Sequence, residues 1–316
     1  MSATQSRVRA TAPGRGATAQ IPSRRRSKRV GYGYWWWSLP ALVLTIVTVY
    51  ITTASGAFFA FTNWTGVGTF DFVGITNFVN IFKTPELIGA LVNTLVLAFG
   101  FVVLTNVFGL LFALALNRTL KTRYLLRTLV FMPVVLSPVA VSFIWKFIFD
   151  FNGPLNQILG AVGLKSLQTA WLASPSLAIV CILVVLVWQS IGFVMVTYLA
   201  GLATVPPELE EAAALDGAGV WRRFRSVTVP MIQPSIAIAT TLTLIQGLRV
   251  FDQVMALTGG GPSHATETLA TEIYNQTFTY QQFGFGAAMA LVLSVLILVF
   301  TVVQQSITRD RSQIGD

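Results

Sequence analysis

The chain has 316 residues, of which 54% are hydrophobic and 10% charged, where an ordinary soluble domain carries about 25% charge. So little charge cannot dress a water-facing surface of this size, which excludes a large soluble core. The net charge of +9 does not argue for nucleic acid, since eight of the 21 Lys and Arg precede residue 30 and most of the others fall between apolar stretches. One cysteine and one histidine leave no material for an intrachain disulfide, a cysteine metal cluster or histidine-based triad chemistry.

In chain order, residues 1–34 are rich in Arg, Ser, Thr, Gly and Ala and poor in acid, a composition that predicts a disordered basic tail. Its charges either orient the protein or touch anionic lipid. Trp35, Trp36 and Trp37 suit a membrane interface, and a full-length apolar span follows them. A secretory signal would have a shorter apolar stretch and a cleavage site, so this span is read as retained.

Six stretches reach the roughly 20 residues that cross a ~30 Å hydrocarbon core. They are Leu39–Phe61, Gly89–Ala115, Leu125–Phe149, Pro175–Ala200, Pro230–Phe251 and Gly284–Gln305. With the N-terminus inside, seventeen Lys and Arg fall on the cytoplasmic side and four outside, Lys83, Lys146, Lys165 and Arg249. The sequence therefore predicts an all-α integral membrane protein with six transmembrane helices and both ends in the cytoplasm (N-in/C-in). A tail, 1–34, precedes a six-helix transmembrane domain, 35–316, with a long inner loop at 203–230.

That inner loop is the most informative segment. Pro206 and Pro207 suit a helix start, and Glu208, Glu210 and Glu211 would sit at the positive end of its dipole. Ala212, Ala213, Ala214 and Leu215 continue the helix, and Gly217 can end it in a left-handed cap. From these residues alone, a surface linker and a docking helix with small residues for close approach are both open. A basic and aromatic segment, Trp221–Arg225, follows.

Glu211-Ala212-Ala213, Asp216-Gly217-Ala218, Phe224, Val227, Val229 and Pro230 resemble the "EAA" loop of binding-protein-dependent ABC importer permeases, whose pattern runs EAA-x-x-DGA, an aromatic, then I-x-LP. Here Val227 and Val229 replace the usual Ile and Leu, with the spacing kept. From about residue 70 to 305 the chain is similar to the carbohydrate-uptake branch, the maltose and glycerol-phosphate type (MalF/UgpA-like) permeases. Asn93-Thr94, the run Arg127-Thr128, Pro133, Trp145, Gly153, Leu155 and Asn156, then Trp188, Gly192 and Met195, carry the likeness. So do Phe251-Asp252 and Leu257-Thr258-Gly259-Gly260-Gly261-Pro262, which resemble "FD…LT-x-GGP".

The resemblance implies a type I ABC importer (MetI-like) fold in the bacterial inner (cytoplasmic) membrane. It implies import of a sugar, an oligo- or disaccharide or a related glycerol-phosphate compound, by alternating access. Implied partners are a second, MalG-like permease, two ATPase subunits that use ATP and Mg, an extracytoplasmic solute-binding protein, the sugar and membrane lipid, and no nucleic acid. It assigns ATPase coupling to Glu211, Ala212, Ala213, Asp216, Gly217 and Ala218, with Glu211 and Gly217 at the centre of the contact. It also places Arg249, Val250 and Phe251 near the substrate. The chain itself is then no enzyme and binds no cofactor; its nearest approach to a phosphate loop, Gly160 to Ser166, lacks the glycine before Lys165.

Span five carries Gln233, Thr240, Thr241, Thr243, Gln246 and Arg249 in one crossing. Polar groups at that depth need protein, water or a ligand, so they either line a pathway or bind neighbouring helices. Gln246, Arg249, Phe251 and Asp252 are the foremost lining candidates, followed by Asn93 and Gln189. Arg249 and Asp252, three residues apart, have a helix-face ion pair as the alternative. The loop from Gly259 to Gln282 either meets a binding protein or connects two spans, and His264 reads as a solvated loop residue. No metal site is expected. The competing function is a self-sufficient secondary carrier for a small polar solute; no half-to-half similarity supports it.

Overall fold

A computed structural model of the chain describes residues 35–118 and 120–313, leaving out the side chains of Trp35 and 308–313. The tail expected to be disordered lies outside the described residues. Among them the chain is helical apart from turns, loops and one isolated bridge between Thr62 and Phe72. It divides into two units, residues 1–49 and 50–316. In the described part of the first, a tight turn at Trp35–Ser38 enters the helix Leu39–Thr45, with Pro40 in the first turn, where a missing amide costs nothing. Trp36, Trp37 and the aliphatic side chains after them are exposed, as suits a segment whose solvent is lipid.

Among the described residues, four helices are continuous and long enough to cross a membrane: Trp36–Phe59, Pro85–Leu116, Pro175–Leu202 and Phe283–Ile307. The other two expected spans are broken. Arg123–Val135 and Pro138–Ile148 meet at 101°, and Val220–Met231 and Gln233–Leu248 at 72°. Counted as one crossing each, the bent pairs bring the total to six. This corrects the uninterrupted span three expected over Leu125–Phe149. Ser137 precedes Pro138, a position that disfavours α-helix, and both Leu136 and Ser137 have extended ψ angles, 143° and 135°. It also corrects span five, expected over Pro230–Phe251. Pro230 and Pro234 each remove an amide donor near its start, and the helix stops at Leu248.

In the second unit, spans two and four pack along most of their length, and span five lies against both. Span six packs on span five and on Thr52–Phe59. The first half of span three rests on span four, while its second half turns to meet a short helix, Asp252–Leu257. One buried cluster joins these at Phe101, Val141, Ile182, Leu186, Val250 and Leu257. Another, at Ala113, Met195, Tyr198, Leu202 and Ile232, closes the opposite end. Between them, the Tyr198 hydroxyl donates to Asn106 Oδ1 at 2.7 Å, and Asn106 Nδ2 donates to Thr243 Oγ1 at 3.0 Å. Thr241 donates to Gln304 Oε1 and Gln304 donates to Thr240 Oγ1, at 2.7 and 2.8 Å. The threonines of span five therefore bind neighbouring helices.

Close approach depends on small residues. A Cβ on Gly192 would run into the Val130 carbonyl and stand 2.6 Å from Phe131 Cα, both immobile backbone. Gly192→Val is expected to push spans three and four apart and lower the thermal unfolding midpoint of the detergent-purified chain by several degrees. Gly89→Ala, in the helix Pro85–Leu116 with nothing within 4 Å of the added Cβ, should not lower it and should raise it slightly.

Candidate functional site

The break in span three frees the carbonyl of Leu136, and the structure uses it. Gln189 of span four donates to it through Nε2 at 3.0 Å, while its Oε1 accepts from Gln253 Nε2 at 3.1 Å. Gln189 so ties span four to the bend and to the segment after span five. Gln189→Leu would strand the amide of buried Gln253, at about 1–3 kcal/mol, and free the bend from span four. Its expected effect is loss of thermal stability without loss of membrane insertion, read by fluorescence-detected size exclusion after heating.

Beside this tie lies a cleft made of two adjoining cavities of about 380 and 340 Å³, which share Pro138, Leu242 and Gln246. Gln189, Ser190 and Phe193 line the first; Arg249, Phe251, Asp252 and Gln253 line the second. Of the residues singled out from sequence, Gln189, Gln246, Arg249, Phe251 and Asp252 are thus brought together. Asn93 is not: its Nδ2 donates to the carbonyls of Ala265 and Glu267, both at 3.0 Å, holding the loop after span five to span two. Gln246 Nε2 reaches Ser190 Oγ at 3.4 Å. Arg249 and Asp252 do not share a helix face, because the chain leaves the helix between them, and among the described residues they form no ion pair.

Ser190, Leu242 and Gln253 line the cleft without having been singled out. Gln253 had one signal, a polar side chain next to Asp252. The cleft offers a guanidinium, a carboxylate and amides, and two rings, Phe193 and Phe251, the latter with its centroid 5.5 Å from that of Tyr274. Such a set binds hydroxyls and covers an apolar face.

The long inner loop forms the helix Pro207–Leu215, with Pro207 in its first turn as expected. Gly217 ends it at φ +77°: its amide donates to the Ala214 carbonyl and that of Ala218 to Ala213, the paired bonds of a Schellman cap. Thr228 donates to Glu210 Oε1 at 3.1 Å and fastens the helix to the segment leading into span five. Glu211, Ala212, Asp216 and Gly217 are exposed, and Ala213 and Ala218 half-buried. Leu215 is 90% and Trp221 72% exposed, two large apolar side chains open to solvent on this loop.

The loop after span five is more ordered than a plain connector. It contains a helix, Leu269–Tyr274, capped by Thr268, and the Leu269 amide donates to Thr94 Oγ1 at 2.8 Å. Thr268 Oγ1 donates to the Val250 carbonyl at 3.0 Å, next to Arg249. His264 is exposed, as expected, but its Nδ1 meets Glu267 Oε2 at 2.7 Å. Burial, then a hydrogen bond with Glu272, raises the Glu267 carboxyl to about 7, and Glu267 in turn raises His264.

Other motif residues are structural. Arg127 Nη2 donates to the Leu116 carbonyl at 2.7 Å, near the C-terminal end of span two, where a cation also suits the dipole. Asn156 donates to the carbonyls of Phe151 and Thr169 and accepts from Trp171 Nε1, knotting the connection between spans three and four.

Broken spans around a polar cleft, with a surface helix on a long loop, define a multi-pass membrane transport component. The chain belongs to the family "binding-protein-dependent transport system inner membrane component", whose model matches residues 105–313. It is 38% identical to the multiple sugar-binding transport system permease protein MsmF of Streptococcus mutans, over 87% of this chain and 96% of that protein. It is 34% identical to the trehalose/maltose transport system permease protein MalF of Thermococcus litoralis, over 76% and 81%. A chain of a bacterial alginate ABC transporter, solved in complex with an alginate pentasaccharide-bound periplasmic protein, shares the fold with a TM-score of 0.77 at 24% identity, covering 87% of this chain and 93% of that one. The family is that of an ABC importer's membrane component in the inner membrane, not of an enzyme, and it does not favour the self-sufficient carrier.

Proposed function

We propose that this chain imports a sugar, an oligo- or disaccharide or a related glycerol-phosphate compound, as one of two permease subunits driven by separate ATPase subunits. The carrying observation is the cleft between the break in span three and the end of span five, where Gln246, Arg249, Phe251 and Asp252 gather. Helix ends and irregular backbone at membrane depth are tolerated where they line a cavity, and that is where transporters bind their cargo. The names of the relatives, multiple sugar and trehalose/maltose, support sugar as the class.

In this reading the N- and C-termini are cytoplasmic, the domain is 35–316 after the tail 1–34, and the helix Pro207–Leu215 docks on an ATPase subunit. Glu211 pairs with a basic residue of the ATPase, Ala212, Ala213 and Ala218 allow close approach, and Asp216 with Gly217 shapes the helix end. Closure of two ATPase subunits on ATP and Mg moves two such helices together and rocks the spans above. A MalG-like permease completes the pathway, and an extracytoplasmic binding protein delivers the sugar, in keeping with the periplasmic protein on the alginate transporter.

Affinity capture of the detergent-solubilised chain from its native membrane, with mass spectrometry, tests this. A second permease, an ATPase and a solute-binding protein should accompany it; recovery of this chain alone from active membranes would overturn the proposal. Binding of candidate sugars and glycerophosphodiesters to the recovered binding protein then separates the two substrate classes.

A further inference from the structure

Two carboxylates that share a buried place need a proton or a cation between them. Glu267 and Glu272 are each 5% exposed, and one carboxylate oxygen of each lies, with a ring nitrogen of His264, in a group whose members are all within 4.8 Å of one another. No Lys or Arg pairs with either among the described residues; His264 is the basic partner. Exposed Glu86 adds to the negative field at His264. The two carboxyls also hydrogen-bond each other, and Gln276 Nε2 reaches Glu272 Oε2 at 3.4 Å.

The surroundings form a built cradle. Gly260, at φ +90°, lays its backbone on the Glu267 side chain so closely that a Cβ would stand 2.6 Å from Glu267 Cγ. Asn93 holds the carbonyls of Ala265 and Glu267, Thr94 holds the Leu269 amide, and the Thr268 capping box fixes the turn carrying Glu272. Glu267 and Glu272 are thus positioned by contacts from span two and the loop backbone, and His264 joins them through Glu267. His264, with 61% of its side chain exposed, gives an entry path.

We propose that His264, Glu267 and Glu272 bind one divalent cation of the zinc type. The donor set decides the class: one imidazole nitrogen and two carboxylates suit zinc, whereas magnesium and calcium prefer oxygen ligands in greater number. A dication neutralises the two buried carboxylates and replaces the His264–Glu267 ion pair. The fourth position faces solvent and takes water. The consequence reaches the cleft, because Thr268, next to Glu267, holds the Val250 carbonyl beside Arg249. A bound cation stiffens the loop that positions that wall. This inference stands apart from the choice of substrate and partners.

The test uses the full chain, purified without a histidine tag, stripped with chelator and titrated with zinc chloride by calorimetry, with elemental analysis of the dialysed protein. One equivalent of zinc is expected. His264→Ala, on an exposed side chain, and Glu267→Gln with Glu272→Gln should each weaken binding at least roughly tenfold, while Glu86→Gln should not. Calcium and magnesium should bind more weakly. Should the double variant fail to fold, His264→Ala decides alone. No stoichiometric zinc, or equal zinc binding in wild type and His264→Ala, would overturn the proposal and leave a shared proton between the glutamates.

Discussion

Replacing Glu211 with lysine is expected to abolish ATP-driven uptake, by at least roughly a hundredfold, while the chain still inserts in the membrane. Breaking one partner of a desolvated, hydrogen-bonded charge pair at an interface costs about 2–5 kcal/mol, and a lysine adds like-charge repulsion. The fold loses little, since Glu211 is exposed and forms no ion pair within the chain among the described residues. Gly217→Pro should act equally strongly by another route. Proline cannot reach φ +77°, and it deletes the amide bonded to the Ala214 carbonyl at 3.1 Å. Gly217→Ala is the graded control. Space is open around a Cβ there, so the cost is the left-handed backbone alone, about 1–2 kcal/mol. It should give partial coupling. Uptake and ATPase stimulation are read together in proteoliposomes; wild-type stimulation in the Glu211→Lys complex would contradict the docking role.

The second large effect is expected at Arg249. Its guanidinium stands at the cleft, just past the end of span five, with no carboxylate pairing it among the described residues. A charge-assisted hydrogen bond contributes about 1.5–3 kcal/mol, so Arg249→Ala should raise the half-saturating sugar concentration for uptake by roughly tenfold or more. Arg249→Lys should recover part of this, since it keeps the charge and loses the planar fork. Asn93→Ala should behave differently. It releases the carbonyls of Ala265 and Glu267, so thermal stability should fall before sugar dependence changes. An Arg249→Ala chain with unaltered uptake would remove Arg249 from the pathway.

Local signals carried the elements that the sequence made legible. The loop helix follows from Pro207 at its start and Gly217 after its end, and hydropathy located all six apolar stretches. The spacing from Glu211 to Pro230 pointed to the family that the comparison then matched over 105–313. The bends were not read, because mean hydropathy runs unchanged through a break. The Ser137-Pro138 step was a local clue to one of them. Asn93 was placed at the cleft on polarity alone; its partners lie 172 and 174 residues away, a separation no local pattern reveals. The alternative reading of Arg249 and Asp252, a pair on one helix face, needs a helix that in fact stops at Leu248. Gln189 is a lining candidate from sequence, but the Leu136 carbonyl it holds is free to accept only because span three breaks there.

The most direct test of the account is uptake of labelled sugar into proteoliposomes holding this chain, its partner permease and the ATPase subunits, with the binding protein outside and ATP inside. The account predicts accumulation that needs ATP, the ATPase subunits and the binding protein together, and that stops with Glu211→Lys. Equal uptake by this chain alone, without ATP or the other subunits, would contradict it.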